Sequence, residues 1–165
     1  MDLRSMQEPL KAGYRADPGS SRVTLKATGG QGDGPIACSV DLGRAVYAAQ
    51  AHAGVGGAGT GACSGDLLLG ALAACAQITC QMVAAAMGLD VGEIAVTVEG
   101  DLDLRGTLGI DREAPVGFTG IRLGFAIDAP GASAEQLEGL KRRTERYCVV
   151  MQTLTDPPPV TTSWS

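Results

Sequence analysis

Few side chains in this sequence are aromatic, and few regions carry concentrated positive charge. One Trp, three Tyr and two Phe make up 4% of 165 residues, so a buried core must be built from Ala, Val, Leu and Ile. Phosphate binding needs clustered Lys and Arg. The net charge of −5 and the single dense basic run (Lys141, Arg142, Arg143, Arg146) therefore argue against nucleic acid as a partner. That run falls on a predicted helix and reads as a solvated face. The N-terminus has no apolar stretch of the signal-peptide kind, and Leu67–Cys80 is too short and too interrupted by Gln77 and Thr79 to span a bilayer. These features predict no membrane association and a cytoplasmic location. There is one histidine, His52, and no CxxC, which leaves a zinc site without paired ligands. No metal and no cofactor is expected.

What is present suits a globular fold. Hydrophobic residues form 45% and charged residues 19% of the chain, a balance unlike that of disordered segments. No linker or internal repeat divides residues 1–165, which read as one domain with residues 1–21 as a loose arm, with or without a short strand. Arg22–Thr28 alternates polar and apolar residues as a half-buried strand does, and the glycines of 29–34 then form a turn. Ile36–Val40 and Arg44–Gln50 flank a plausible hairpin connection at 41–43, and Gly54–Gly65 is a flexible connector. Asp66–Gly88 is rich in Ala and Leu without alternation, a helix buried on most faces, with Ser64 as N-cap and Gly88 as its close. Glu93–Leu104 and Thr119–Asp128 alternate as strands. Ser133-Ala134-Glu135-Gln136 fits a capping box for a second helix reaching about Cys148. Val160–Trp164 is a candidate edge strand beyond the three prolines. The order gives an α+β class.

Five cysteines, at 38, 63, 75, 80 and 148, are too irregular for a disulfide scaffold, and there is no secretory signal to support one. They are either packed hydrophobes or reactive thiols. Context alone favours packing for Cys75, inside Leu72-Ala73-Ala74-Cys75, because apolar surroundings raise a thiol pKa. Cys148 follows Arg142, Arg143 and Arg146, which favour a thiolate, while the helix C-terminus opposes one. Cys63, in a Gly-rich loop before a helix, reads as more exposed and more acidic than Cys75. Cys80 is about 500° round the helix from Cys75 and reads as core. Cys38 reads as a strand residue. His52 reads as a surface residue rather than a general base.

Asp66-Leu67-Leu68-Leu69-Gly70-Ala71-Leu72-Ala73-Ala74-Cys75, Gly88-Leu89, Val96–Asp103, Pro115–Ile121 and Arg146-Tyr147-Cys148 resemble, in this order, the family of osmotically inducible protein C and the organic hydroperoxide resistance proteins. The resemblance runs from about Val23 to Val160. It implies an OsmC-like fold, with antiparallel sheets wrapped around central helices in an intertwined homodimer. It also implies thiol-dependent reduction of organic hydroperoxides, with Cys75 as the peroxidatic thiol, Cys148 as the resolving thiol and a dithiol as reductant. A non-catalytic small-ligand-binding or redox-sensing role is the alternative. The most active members carry an arginine in the early Gly-Gly turn and a glutamate ten residues before the helix cysteine. Gln31 and Gly65 stand at those positions here. Asp66 is a substitute carboxylate, Arg44 and Arg105 are candidate cations, and Cys63 is an alternative resolving or nucleophilic thiol.

Overall fold

The computed structural model describes residues 3–31, 38–41, 51–57, 59 and 62–164. Strands β1 (Arg22–Gln31), β2 (Cys38–Asp41), β3 (Ile94–Asp103) and β4 (Gly120–Ile127) form one antiparallel sheet in the order β2-β1-β3-β4. β1 and β3 are the inner strands, and the core is built on β3. Its alternation sends Ile94, Val96 and Val98 inward to complete burial, and branched side chains suit that pleated surface.

Helix α2 (Ser64–Ala86) lies against that apolar face. Ala and Leu favour a helix because they lose little rotamer freedom in it. Small residues turned inward (Ala73, Ala76, Ala84) let it approach the sheet, while Leu69 and Leu72 fill the space between them. Burying a leucine of this kind contributes about 2 kcal/mol. At 23 residues α2 is long and apolar enough to cross a membrane, longer than the stretch Leu67–Cys80 suggested. Its burial on the sheet, with Leu69, Ala73 and Ala76 inaccessible, is that of a core helix. Gly88 closes it with φ +65°, and Leu89 N–H returns to Ala84 O at 3.0 Å, placing Leu89 against the core.

A single turn, α3 (Leu104–Thr107), lies between β3 and β4, and two further helices, α4 (Ala134–Tyr147) and α5 (Val149–Thr155), follow the sheet. The capping box at Ser133 is present: Ser133 Oγ accepts Gln136 N–H at 3.2 Å and Gln136 Oε1 accepts Ser133 N–H at 2.8 Å. The helical run is not continuous, however. Cys148 adopts an extended conformation (φ −72°, ψ 103°) and ends α4 while starting α5.

Four sequence expectations are corrected. Residues 3–16 form helix α1 (Leu3–Ala16) with Pro9 inside it, where a loose arm or strand was expected. Tyr14 anchors its end, buried and donating its hydroxyl to Gly54 O at 2.6 Å. Val160–Trp164 is irregular and exposed, because no strand partner reaches it among the described residues. The Gly54–Gly65 connector opens with a 3₁₀ turn, Ala53–Val55, capped by His52 Nδ1, which accepts Gly54 N–H at 3.0 Å. Of the turn expected over 29–34, Gly29, Gly30 and Gln31 continue strand β1, while residues 32–34, like the segment Arg44–Gln50, lie outside the described residues.

Candidate active site

Three of the five cysteines stand at the start of or along α2, and Cys148 meets it from the α4–α5 junction. At the start of α2 Cys63 is the N-cap, one residue before the expected Ser64, and is buried at 5% exposure. The Asp66 carboxylate accepts Cys63 N–H at 2.7 Å. Burial pushes the Cys63 thiol pKa up, and the neighbouring Asp66 carboxylate adds to that rise. The expectation of an exposed, acidic Cys63 is therefore wrong. Beginning a helix next to a carboxylate, with the side chain packed into the core, removes the solvent that an acidic thiol needs. Asp66 satisfies an orphan amide of the first turn and so has a capping role. Gly65, next to it, carries no side chain to bring to the thiol.

Midway along α2, Cys75 is partly exposed, and the completely buried Cys148 lies beside it in the core. Helix spacing places Thr79 on the same face of α2, with its Oγ1 4.0 Å from Cys75 Sγ. The extended break at Cys148 brings its sulfur to α2 and sets the residue at the start of α5. Burial raises the Cys148 pKa to about 11. One turn further along α2, Cys80 is buried beside Thr144 of α4, and its pKa is raised by burial. It is core, as expected.

The proposed accessory residues divide. Arg105 does not approach the thiols: its guanidinium is bound to Asp103 (2.6 Å) and Asp111 (3.0 Å). Asp103 also takes a 2.6 Å hydrogen bond from the buried Ser21 hydroxyl, and the Arg105 contact holds its carboxyl well below the usual range. This clasp borders a polar groove of about 610 Å³ lined by Arg22, Asp101 and Glu113, with no residue from α2. Gln31 ends β1 opposite Cys38, and the side chains of both lie outside the described residues, as does Arg44.

Sequence reasoning did not single out Thr79 or Phe118 as site groups. Thr79 carried a readable signal, four residues from Cys75. Phe118 did not, because it stacks across Gly100 of β3, at the place where a Cβ on that glycine would stand. Its ring lines two clefts. One of about 310 Å³ lies between Leu72, Met151 and Leu154, one turn from each thiol, and one of about 470 Å³ lies over Cys63, Gly65 and Leu68. A wider groove of about 730 Å³ starts at Thr79 and runs along Met82, Val83 and Val149, with Arg143 and Arg146 among its lining. The arrangement supplies one accessible thiol, one enclosed thiol in contact with it, and apolar clefts on either side.

A family model described as OsmC-like protein matches residues 57–163, which contain α2, both thiols and all of β3 to α5. The fold is similar to that of an OsmC-like hydroperoxide resistance protein from Jannaschia sp. CCS1, with a TM-score of 0.62 over 85% of this chain and 91% of that one, at 16% identity. No curated protein matches the sequence.

Proposed function

Because the chain belongs to the OsmC-like family, we propose that it reduces organic hydroperoxides with Cys75 as nucleophile and Cys148 as resolving thiol. The observation that carries this reading is the contact between an accessible thiol and an enclosed one. A peroxide can reach Cys75 from the surface and cannot reach Cys148, so the order of events follows from exposure. The Cys75 thiolate attacks the O–O bond, becoming a sulfenic acid and releasing an alkoxide that takes up a proton as the alcohol. Cys148 then condenses with the sulfenic acid, forming a disulfide and water. A dithiol exchanges with that disulfide and restores both thiols. No cofactor enters the cycle, and the residues of α2 and α5 around the pair are apolar enough to hold the organic part of the peroxide.

The family match and the sheet that joins β1 to β3 support treating residues 1–165 as one OsmC-like domain. Leu68 and Met82, large and exposed on α2, support a homodimer in which a second copy covers this helix. The acidic balance supports a cytoplasmic protein that uses neither nucleic acid nor membrane as a partner.

One observation favours the second reading, a binding or sensing protein that oxidises without efficient turnover: among the described residues no cation contacts the Cys75 sulfur. Stopped-flow mixing of the reduced chain with cumene hydroperoxide separates the two. Loss of peroxide together with a Cys75–Cys148 disulfide, regenerated by dithiothreitol over many turnovers, supports the enzyme. One stoichiometric oxidation without turnover supports the sensor, and an unchanged Cys75 thiol overturns both.

A further inference from the structure

A cleft of about 330 Å³ lies between β4, α2 and α4, and neither Cys75 nor Cys148 lines it. Strand β4 supplies Leu123, Phe125 and Ile127, brought to one half-buried face by the two-residue period of a strand. Cys80 of α2 and Leu140 of α4, both buried, form its inner wall. Burial pushes the Cys80 thiol pKa up, so that wall carries no charge. One polar group interrupts the apolar lining. Thr144 of α4 is 1% exposed, and its hydroxyl has no hydrogen-bond partner among the described residues. A helical threonine can return its hydroxyl to the carbonyl four residues back. Thr153 does so to Val149 O at 2.8 Å, and Thr155 to Met151 O at 3.0 Å. Thr144 makes no such bond to Leu140, which leaves its hydroxyl at the floor of the cleft that this side chain lines.

We propose that this cleft is a second binding site, which takes a small uncharged molecule with an apolar body and one terminal hydroxyl that meets the Thr144 hydroxyl. A buried hydroxyl without a partner destabilises the empty site, and an alcohol can both donate to it and accept from it. The aliphatic walls and the Phe125 ring suit an apolar body. At the packing of liquid water the volume holds about ten non-hydrogen atoms. Charge on the occupant is disfavoured, because an ionised group beside Thr144 would shed its water without gaining a counter-ion. At the mouth, the exposed Lys141 and Glu145 stand one turn apart on α4 and offset each other, so the entrance selects neither sign. No bond forms or breaks on binding, and the inference does not rest on the hydroperoxide reading.

The test compares benzyl alcohol, toluene and benzoate, which share a ring and differ in its substituent. Each is titrated into the reduced, nitrogen-15-labelled full chain while amide NMR shifts are followed. Benzyl alcohol is expected to give saturable shifts at Leu123, Phe125, Leu140 and Thr144, with an affinity about tenfold above that of toluene, the size of one hydrogen bond to an otherwise orphaned hydroxyl. Benzoate should not bind there. Thr144→Val, which has the shape of threonine without the hydroxyl, should bring benzyl alcohol down to the affinity of toluene and leave toluene unchanged. Thr144→Ala replaces it should the valine variant not fold, and Thr144→Ser should keep the preference for the alcohol. Equal affinities for alcohol and toluene in wild type, or a preference that survives loss of the hydroxyl, would overturn the inference. So would the absence of any saturable shift, the result for a cleft filled by water or covered by a second copy. Cys75→Ser should bind as wild type does. Loss of binding in that variant, with shifts confined to Leu72, Met151 and Leu154, would assign the alcohol to the thiols and sink the second site.

Discussion

The start of α2 buries a thiol at Cys63 and its middle leaves one partly exposed at Cys75, and the surroundings of the two differ in kind. At the start, the surroundings of Cys63 are what helix initiation requires: the Asp66 carboxylate on its amide and core packing around its side chain. In the middle, Cys75 has no structural duty that a Ser or Ala could not meet, and its neighbour is a second sulfur. A cysteine surrounded by capping partners is explained by folding alone. One that lies beside another thiol at an accessible surface is not, and the proposed peroxidatic role is what would account for it.

The contrast breaks most readily at the nucleophile. Cys75→Ser should lower peroxide consumption by on the order of a thousandfold or more, while Cys63→Ser should leave it unchanged, both read by ferrous-xylenol-orange assay of residual hydroperoxide. Equal losses in the two variants would erase the distinction. Next in size, Cys148→Ser should stop after a single turnover with Cys75 as a sulfenic acid, trapped by dimedone and weighed by mass spectrometry. Disulfide formation in that variant would make Cys63 or another thiol the resolving partner.

At the capping end the expected effects are on stability. Asp66→Ala should cost about 1 kcal/mol in urea unfolding through loss of the cap, with Cys75 alkylation unaltered. A change in alkylation would mean that the carboxylate acts on the thiol after all. The smallest effect separates the ends by pH. The raised Cys148 pKa means that the folded state holds its proton where the unfolded state releases it. This stabilisation is complete below the unfolded thiol value and is lost as pH rises from about 8.5 toward about 11. The denaturation midpoint of wild type should therefore fall across that window more steeply than that of Cys148→Ser.

Much of the fold could be read from local pattern, because the pattern and the structure obey the same periodicity. The Ser133–Gln136 box, the Gly88 close and the alternation of β3 all appear as their residues suggest. Helix α1 was missed because Pro9 reads as a breaker, although Leu3, Met6, Leu10 and Tyr14 have helical spacing and Tyr14 supplies a tertiary anchor that no local rule contains. Cys63 was misread for a related reason: a residue in a Gly-rich loop looks exposed until it packs into the core. The thiol pair is the hardest case. Nothing local to Cys75 or Cys148 indicates that they meet. Their contact depends on α4 and α5 breaking apart at Cys148, which the apolar run Cys148-Val149-Val150 conceals. Only the ordered resemblance across the chain pointed to the pairing.

The same break has a mechanical consequence. A covalent bond between Cys75 and Cys148 would tie together positions 73 apart in the sequence, with β3, β4 and α4 in the enclosed ring. Closing a loop of that length removes unfolded-chain entropy equivalent to about 4 kcal/mol. The oxidised protein is then the sturdier one, and each reductive step returns it to a looser molecule. Resistance to proteolysis would rise and fall with the redox cycle, reporting the state of the thiols through the lifetime of the whole chain.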